Sequence, residues 1–408
     1  MQKFALILIP ALLFLALFFY LKPQHNEDLI VFLTWDDEDT SHTMTVNYLT
    51  TDKFQTTRVY YDTKSHSAGS SSSYLYLASG SQRTYPEVKF TVHSTQLKNL
   101  NPDTTYYFIV GDKKSGFTEE RKFRTVPEQG TIRFISGGDA GLSDEYKKIS
   151  EIAAATEPHF AIMGGDIAYV NGNTKQQDTW IEFLDIWQQT MITPDGYTIP
   201  IIAVIGNHET NKLKWRHLDK APFYFMLFKP DGERTYFTRH LGLNNILFVL
   251  DTEHIYKPHS EQLDWMQEEF KKYGSSTFRF ASYHIPLYPS FRDPDKSHIK
   301  NLRRHWLPVF DQAKLHVAFE NHEHTLKKSW LLKGNKISET QGTYYLGDGN
   351  WGRPSRMPEQ RWYIEKTRPI NHVWSVVLDG ESASFEALTI DGVDEDYSFQ
   401  IKASAVEP

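Results

Sequence analysis

Five short segments set metal-type side chains beside glycine or at the end of an apolar run. They are Gly137-Gly138-Asp139-Ala140-Gly141, Gly164-Gly165-Asp166 with Tyr169 three residues on, Gly206-Asn207-His208-Glu209, Tyr283-His284-Ile285-Pro286, and Glu320-Asn321-His322-Glu323-His324. Each alone carries little: Gly-Asp recurs by chance, and a single His after an apolar run is more often a satisfied core or surface residue. Jointly, two Asp, one Asn, three His and one Tyr in this order are not the pattern of scattered surface polarity. Oxygen donors mixed with imidazoles suit Fe, Mn or Zn better than an all-oxygen magnesium or calcium cage. One carboxylate can bridge two ions held about 3.5 Å apart, the spacing of two-metal hydrolytic sites. His322 and His324 are two residues apart, which in an extended segment puts both on one face, one for each ion. A neutral Asn adds an oxygen without another charge, leaving room for an anionic substrate. A phenolate is a hard ligand of high proton affinity, so Tyr points to a trivalent ion such as Fe(III).

These residues need a scaffold that brings five chain segments together. Apolar runs at 132–136, 160–163, 199–205, 246–250, 278–283 and 316–319 read as strands, and 146–155, 179–189 and 302–312 as helices. A further helix, capped by Ser260, carries the stripe Leu263, Met266, Phe270 and Tyr273. This alternation predicts an α/β domain with a largely buried sheet. The polar residues then fall at the carboxyl ends of strands, where open α/β sheets bind ligands, and the glycines permit sharp turns there. Residues 373–378 and 382–388, joined at Asp379-Gly380, predict a hairpin at the edge of that domain.

Ahead of it, residues 28–126 read as all-β, with strands at 29–35, 43–48, 58–61, 89–93, 105–110 and 121–124 and a serine-rich loop at 70–73. Leu100-x-Pro102-x-Thr104-x-Tyr106 has the form of a tyrosine corner, in which the phenol bonds to upstream backbone. Residues 126–130 read as the linker. The expected layout is 1–27 as anchor or signal, 28–126 as β-sandwich, 127–400 as catalytic domain and 401–408 as tail.

The 408 residues carry 44 Lys and Arg against 51 Asp and Glu, a net charge of −7, which argues against nucleic-acid binding. The absence of cysteine excludes a disulfide framework, a thiolate metal site and a cysteine nucleophile. Residues 4–21 form an apolar run broken only by Pro10 and flanked by Lys3 and Lys22. Its length and the lack of a small-residue cleavage site favour an uncleaved membrane anchor over a cleaved signal. The positive-inside rule then exports the bulk of the chain to an extracytoplasmic location, periplasmic or cell-surface.

The five motifs resemble the metallophosphoesterase superfamily, and Tyr169 after Gly-Asp166 makes them similar to purple acid phosphatases. The sandwich, which resembles a fibronectin type III domain, and Gly347-Asp348-Gly349-Asn350 resemble the two-domain members. The resemblance covers about residues 28–400 and implies a core of two mixed sheets flanked by helices. It implies a dinuclear centre with Fe(III) on Asp139, Asp166, Tyr169 and His324. Asp166 would bridge to a divalent Fe, Zn or Mn on Asn207, His284 and His322. His208 would contact phosphate or leaving group as the catalytic acid, with Asn207 and His208 also binding substrate. The sequence departs from the family pattern in two places. Asn321 stands where the last motif usually has glycine, and a histidine usual near the leaving group is missing after His284. His298 or Asp293 stands behind His208 for that role. Arg292 is a candidate phosphate binder, and Glu320 a candidate partner orienting an imidazole.

The activity so implied is hydrolysis of phosphate monoesters by a metal-bound hydroxide, acting on phosphorylated small molecules or phosphoproteins. A phosphodiesterase or nucleotide hydrolase on the same site is the near alternative, because the ligands do not discriminate. A surface adhesion protein is the distant one.

Overall fold

The computed structural model describes residues 29–403 apart from 52–55, 67–69, 113, 115, 215–216 and 230. The apolar run at 4–21 lies outside the described residues. Among those described, no helix is long and apolar enough to cross a membrane.

The amino-terminal unit is a β-sandwich. One sheet orders Val31–Thr34, Met44–Thr50, Thr91–Leu97 and Ser81–Arg83; the other orders Tyr76–Ser79, Arg58–Asp62, Thr105–Asp112 and Gly116–Phe117, with Arg121–Arg124 also on Thr105–Asp112. Tyr106 forms the expected corner: its phenol oxygen accepts the Asn101 N–H at 2.9 Å. Tyr76–Ser79 and Ser81–Arg83 had no readable alternation because both are largely solvent-facing.

The second unit holds two mixed sheets. The first runs Ile201–Ala203, Phe160–Met163, Ile132–Gly137, His372–Asp379, Ser382–Thr389, Gly392–Lys402. Its first three strands are parallel and the rest antiparallel. The predicted hairpin is present, and a third strand continues it through Lys402. The second sheet runs Phe237–Leu241, Asn245–Val249, Phe278–Ser282, Val317–Phe319, Tyr344–Gly347, Leu326–Ser329, Ile364–Arg368. Its four central strands are parallel. Phe237–Leu241, Leu326–Ser329, Tyr344–Gly347 and Ile364–Arg368 were not foreseen. In Phe237–Leu241 and Leu326–Ser329 a mix of charged and apolar residues hides a mostly buried environment, in which even Lys327 is fully enclosed; Tyr344–Gly347 is short, and Ile364–Arg368 is half solvent-facing.

Helices cover the sheets. Asp144–Ala154 begins with Ser143 accepting the Tyr146 N–H and buries Tyr146, Ile149 and Ala153. Glu261–Lys272 buries Met266 and Phe270, with Leu263 and Tyr273 half-buried at the ends of the stripe. Ser260 is its N-cap residue but makes no capping bond; its hydroxyl donates instead to the Lys257 carbonyl. Phe134, Phe160, Phe280 and Phe319 pack between the two sheets.

One apolar cluster extends without a break from Leu33, Met44 and Phe108 of the sandwich to Phe134 and Phe280 of the second unit. The segment expected to be a linker takes part in it: Val126 is fully buried. Glu128 pairs its carbonyl with the Leu243 N–H. Gly242, with φ at 68°, lies so close to the Pro127 and Glu128 carbonyls that a Cβ would sit within 2.9 Å of both.

Candidate metal centre

Asp139 follows the strand Ile132–Gly137, Asp166 follows Phe160–Met163, and Asn207 opens the turn after Ile201–Ala203. His284 follows Phe278–Ser282, and His322 and His324 follow Val317–Phe319. The two sheets thus deliver their carboxyl ends to one place, as the strand-end rule requires.

The backbone turns hard at these positions. Asp139, Asp166, Tyr169, His322 and His324 all have φ between 52° and 80°, so five of the seven predicted ligands are left-handed. Non-glycine residues seldom adopt that region, each at a cost of about 1 kcal/mol or more, and such strain gathers at functional sites. His322 and His324 therefore do not lie in an extended segment, as spacing alone suggested. They still point to separate clusters, because each is turned individually.

The first cluster joins Asp139, Tyr169 and His324. Tyr169 Oη is 3.0 Å from Asp139 Oδ1 and 3.2 Å from His324 Nε2, and His324 Nε2 is 2.9 Å from Asp139 Oδ1. The second joins Asp166, His284 and His322: His284 Nε2 is 3.0 Å from Asp166 Oδ2 and 3.0 Å from His322 Nδ1. Donors bound to one ion at about 2.1 Å and set at right angles lie about 3 Å apart, so both spacings are those of a coordination shell. Asp139 Oδ2 accepts the His322 N–H at 2.7 Å and links the two clusters. Asn207 Oδ1 is buried with no hydrogen-bond partner, next to the His208 N–H that donates to Asp166 Oδ1 at 2.7 Å. A buried amide oxygen left unpaired is costly unless a cation takes it.

The electrostatics ask for positive charge. Burial alone would raise the Asp166 carboxyl, but the His284 imidazole, helped by His208 and His322, outweighs it and holds Asp166 well below the usual range. Burial lowers the His284 imidazole and the Asp166 carboxylate more than reverses this, to about 9. Burial, then Asp139 and Asp166, push the Tyr169 phenol far upward, so without a cation it stays a donor to Asp139. The donor set fits a pair of ions better than it fits an empty pocket.

Glu209 supports the ligands in a way not foreseen, and Asn321 and His208 gain specific contacts. Glu209 accepts the N–H groups of Gly206, Asp166 and Ile167 at 2.7–2.8 Å, pinning the second and third motifs together. Burial and the Asp166 charge push its carboxyl up to about 7 against those donors. Asn321 donates to the Tyr283 carbonyl at 2.9 Å. Its carboxamide fills the space above Gly164 and Gly138, where added Cβ atoms would meet it at 2.2 and 2.5 Å. His208 has Nδ1 on Asn171 Oδ1 at 2.7 Å, its ring 4.3 Å from that of Tyr169, and Nε2 3.8 Å from Asp166 Oδ2.

Two candidate residues have partners within the protein. Arg292 is held by protein: its Nη1 donates to Glu323 Oε1 at 2.7 Å and to the His322 carbonyl at 2.9 Å, so it braces the His322 turn. Arg356 Nη1 donates to the same carbonyl at 3.0 Å. Glu320 orients no imidazole. It accepts Tyr283 Oη, the Leu287 N–H and Lys327 Nζ at 2.6–2.8 Å. Lys327, fully buried, also meets Asp348 Oδ1 at 2.5 Å, and the Asp348 carbonyl accepts the Glu323 and His324 N–H groups. Asp293 is exposed and closes a turn onto the Asp295 N–H. His298 sits on the helix Ser297–Ala313.

Residues 30–125 match a family model described as the purple acid phosphatase N-terminal domain, and residues 135–326 one described as calcineurin-like phosphoesterase. Probable purple acid phosphatase 20 of Arabidopsis thaliana is 26% identical over 69% of this chain, and purple acid phosphatase 23 of the same plant 20% identical over 63%. The chain spans 64% and 62% of the lengths of these relatives, less than two thirds of each. The solved purple acid phosphatase from yellow lupin seeds (Lupinus luteus) shares the fold with a TM-score of 0.75, over 91% of this chain and 74% of that one, at 16% identity. With both family models in chain order on a matching architecture, the chain belongs to the purple acid phosphatase-like metallophosphoesterases.

Proposed function

We propose that this chain hydrolyses phosphate monoesters at a dinuclear metal centre. The observation that carries the reading is the pair of donor clusters with coordination-shell spacing, together with the unpaired Asn207 Oδ1. Asp139, Tyr169 and His324 are assigned to Fe(III), and Asn207, His284 and His322 to a divalent Fe, Zn or Mn, with Asp166 shared. When bound, such ions polarise phosphoryl oxygens and lower the pKa of water. The protein's part is to fix these donors through left-handed turns and to set His208 beside them. His208, with Nδ1 tied to Asn171, presents Nε2 on the substrate side as the acid for the leaving group. The proposed division keeps the sandwich at 28–126 and the catalytic domain at 127–400, extended at its end by the strand that runs through Lys402. Phosphorylated small molecules or phosphoproteins as substrates, and action outside the cytoplasm, extend the same proposal.

Purified protein is assayed for metal content, for visible absorption and for turnover of an aryl phosphate. The expected result is two ions per chain, a broad charge-transfer band lost in Tyr169→Phe, and turnover lost in Asp166→Ala. A parent protein that binds no metal and releases no phosphate would falsify the proposal. Full activity in a colourless preparation would remove Fe(III) alone. Inversion at a chiral phosphorothioate ester is expected, since no serine or cysteine nucleophile lies in the cluster; retention would demand a phosphoenzyme.

A further inference from the structure

We infer that Arg353, rather than Arg292, is the arginine that grips the peripheral oxygens of the substrate phosphoryl group; this rests on the phosphoester reading above. Arg292 has its charge matched by Glu323, a carboxylate only 1% exposed. Arg353 has no such counterpart. Its Nε is buried with no hydrogen-bond partner, and its Cζ lies 4.1 Å from the centroid of the Tyr169 ring. Among the described residues its guanidinium has a ring face for company and no carboxylate within ion-pair distance. A guanidinium carries five donors in a fixed fork, and a buried Nε–H without an acceptor is unfavourable, while the half-buried residue leaves its fork open to a ligand.

The chain builds this placement deliberately into the metal-site loops. The Trp351 N–H donates to the Gly138 carbonyl and the Gly352 N–H to the Asp139 carbonyl, at 2.9 and 3.2 Å. The Arg353 carbonyl accepts Asn371 Nδ2 at 2.8 Å. Arg353 is thus carried on a segment stitched to the Asp139 turn. Gly141 clears its path: a Cβ there would come within 3.3 Å of both Cδ and Nη1, and φ at 70° suits glycine. The result is a cation at the rim, beside Tyr169 and facing the same cluster as His208. A phosphoryl dianion held there offers two adjacent oxygens to the fork, the bidentate geometry for which arginine is suited.

The test measures binding of inorganic phosphate to the metal-loaded protein by calorimetry, with metal content recorded for each variant. Arg353→Met is expected to keep both ions and to bind phosphate roughly 10- to 100-fold more weakly, with KM for an aryl phosphate raised in step. Arg353→Lys is expected to recover part of the affinity, because the charge remains without the fork. Arg292→Met is expected to do the opposite, losing metal affinity through the His322 turn while its loaded fraction binds phosphate as the parent does. Phosphate affinity of Arg353→Met within twofold of the parent would overturn the inference. A shifted charge-transfer band without a change in phosphate affinity would overturn it too, assigning Arg353 to the phenolate only. A parent that binds metal but neither binds nor releases phosphate would remove the underlying reading, and the inference with it.

Discussion

The Asn321 carboxamide lies directly over Gly164, so the two positions should be coupled. Replacing Gly164 with Ala puts a Cβ 2.2–2.3 Å from three atoms of the Asn321 carboxamide. The Gly164 backbone is not left-handed, so the alanine itself is unstrained and the clash is the whole problem. Asn321 is 2% exposed and bound to the Tyr283 carbonyl, so it cannot swing aside without breaking that bond. Overpacking costs about 1–3 kcal/mol and an orphaned buried amide a further ~1–3 kcal/mol, so Gly164→Ala should lose roughly 3 kcal/mol. Asn321→Gly loses one hydrogen bond and adds backbone freedom, for roughly 2 kcal/mol. With Asn321 gone the Cβ has room, so the double variant should cost little more than Asn321→Gly alone. Urea unfolding at constant m-value measures the cycle, and a coupling of nearly 3 kcal/mol (about 3 and 2 for the single variants against little more than 2 for the double) is expected. The Gly164 carbonyl accepts His284 Nδ1 at 2.9 Å, so metal uptake should fall in Gly164→Ala and return in the double variant. Strict additivity, within about 0.5 kcal/mol, would show that the Asn321 carboxamide does not occupy this space.

Four other outcomes are expected. Lys327→Met leaves two fully buried carboxylates, Glu320 and Asp348, without their cation, and should cost about 3–5 kcal/mol by urea unfolding, with Lys327→Met/Glu320→Gln recovering part. Among single ligand variants, His324→Ala should abolish the charge-transfer band while His322→Ala keeps it and loses the divalent ion, as read by elemental analysis. His159 is held down to about 3 by burial and then by the nearby Arg124. Its Nδ1 accepts the Arg133 N–H at 3.1 Å, which requires the neutral ring. The unfolded chain takes up this proton below about 6.5 and the folded chain does not, so the stability present above 6.5 is lost as pH falls toward 3. By pH 5 the loss should be roughly 2 kcal/mol, and His159→Gln should flatten that part of the pH profile. Tyr106→Phe should cost about 1 kcal/mol by removing the acceptor for the Asn101 N–H; an unchanged urea midpoint would dismiss the corner as a stabiliser.

Much of the site was legible because metal ligands impose residue type and strand-end position together. Asp139, Asp166, Tyr169, Asn207, His284, His322 and His324 all come from short segments whose glycines and preceding apolar runs can be read locally. The supporting residues were not legible for the opposite reason. Glu209 matters because it reaches backbone some 40 residues away, and Asn321 because Gly138 and Gly164 lie beneath it. Arg353 and Arg292 look alike in sequence, and only the partner of each separates them. The fold divides similarly. Strands such as Phe160–Met163 and Arg121–Arg124 were readable from their own residues. Leu326–Ser329 was not, because two lysines hide in a protein-lined strand. Ser260 shows a correct position with a different bond: its hydroxyl donates to the Lys257 carbonyl and accepts no capping N–H.

The unbroken apolar cluster between sandwich and catalytic unit bears on how this molecule ages and is cleaved. A protease that nicks the chain near Gln129 would not release two independent globules, because Val126 and Phe134 lie in the same cluster. Each half would expose a greasy face matched only by the other. The nicked protein should therefore migrate and melt as one particle, and the β-sandwich is better regarded as a wall of the two-sheet unit than as an appendage to it.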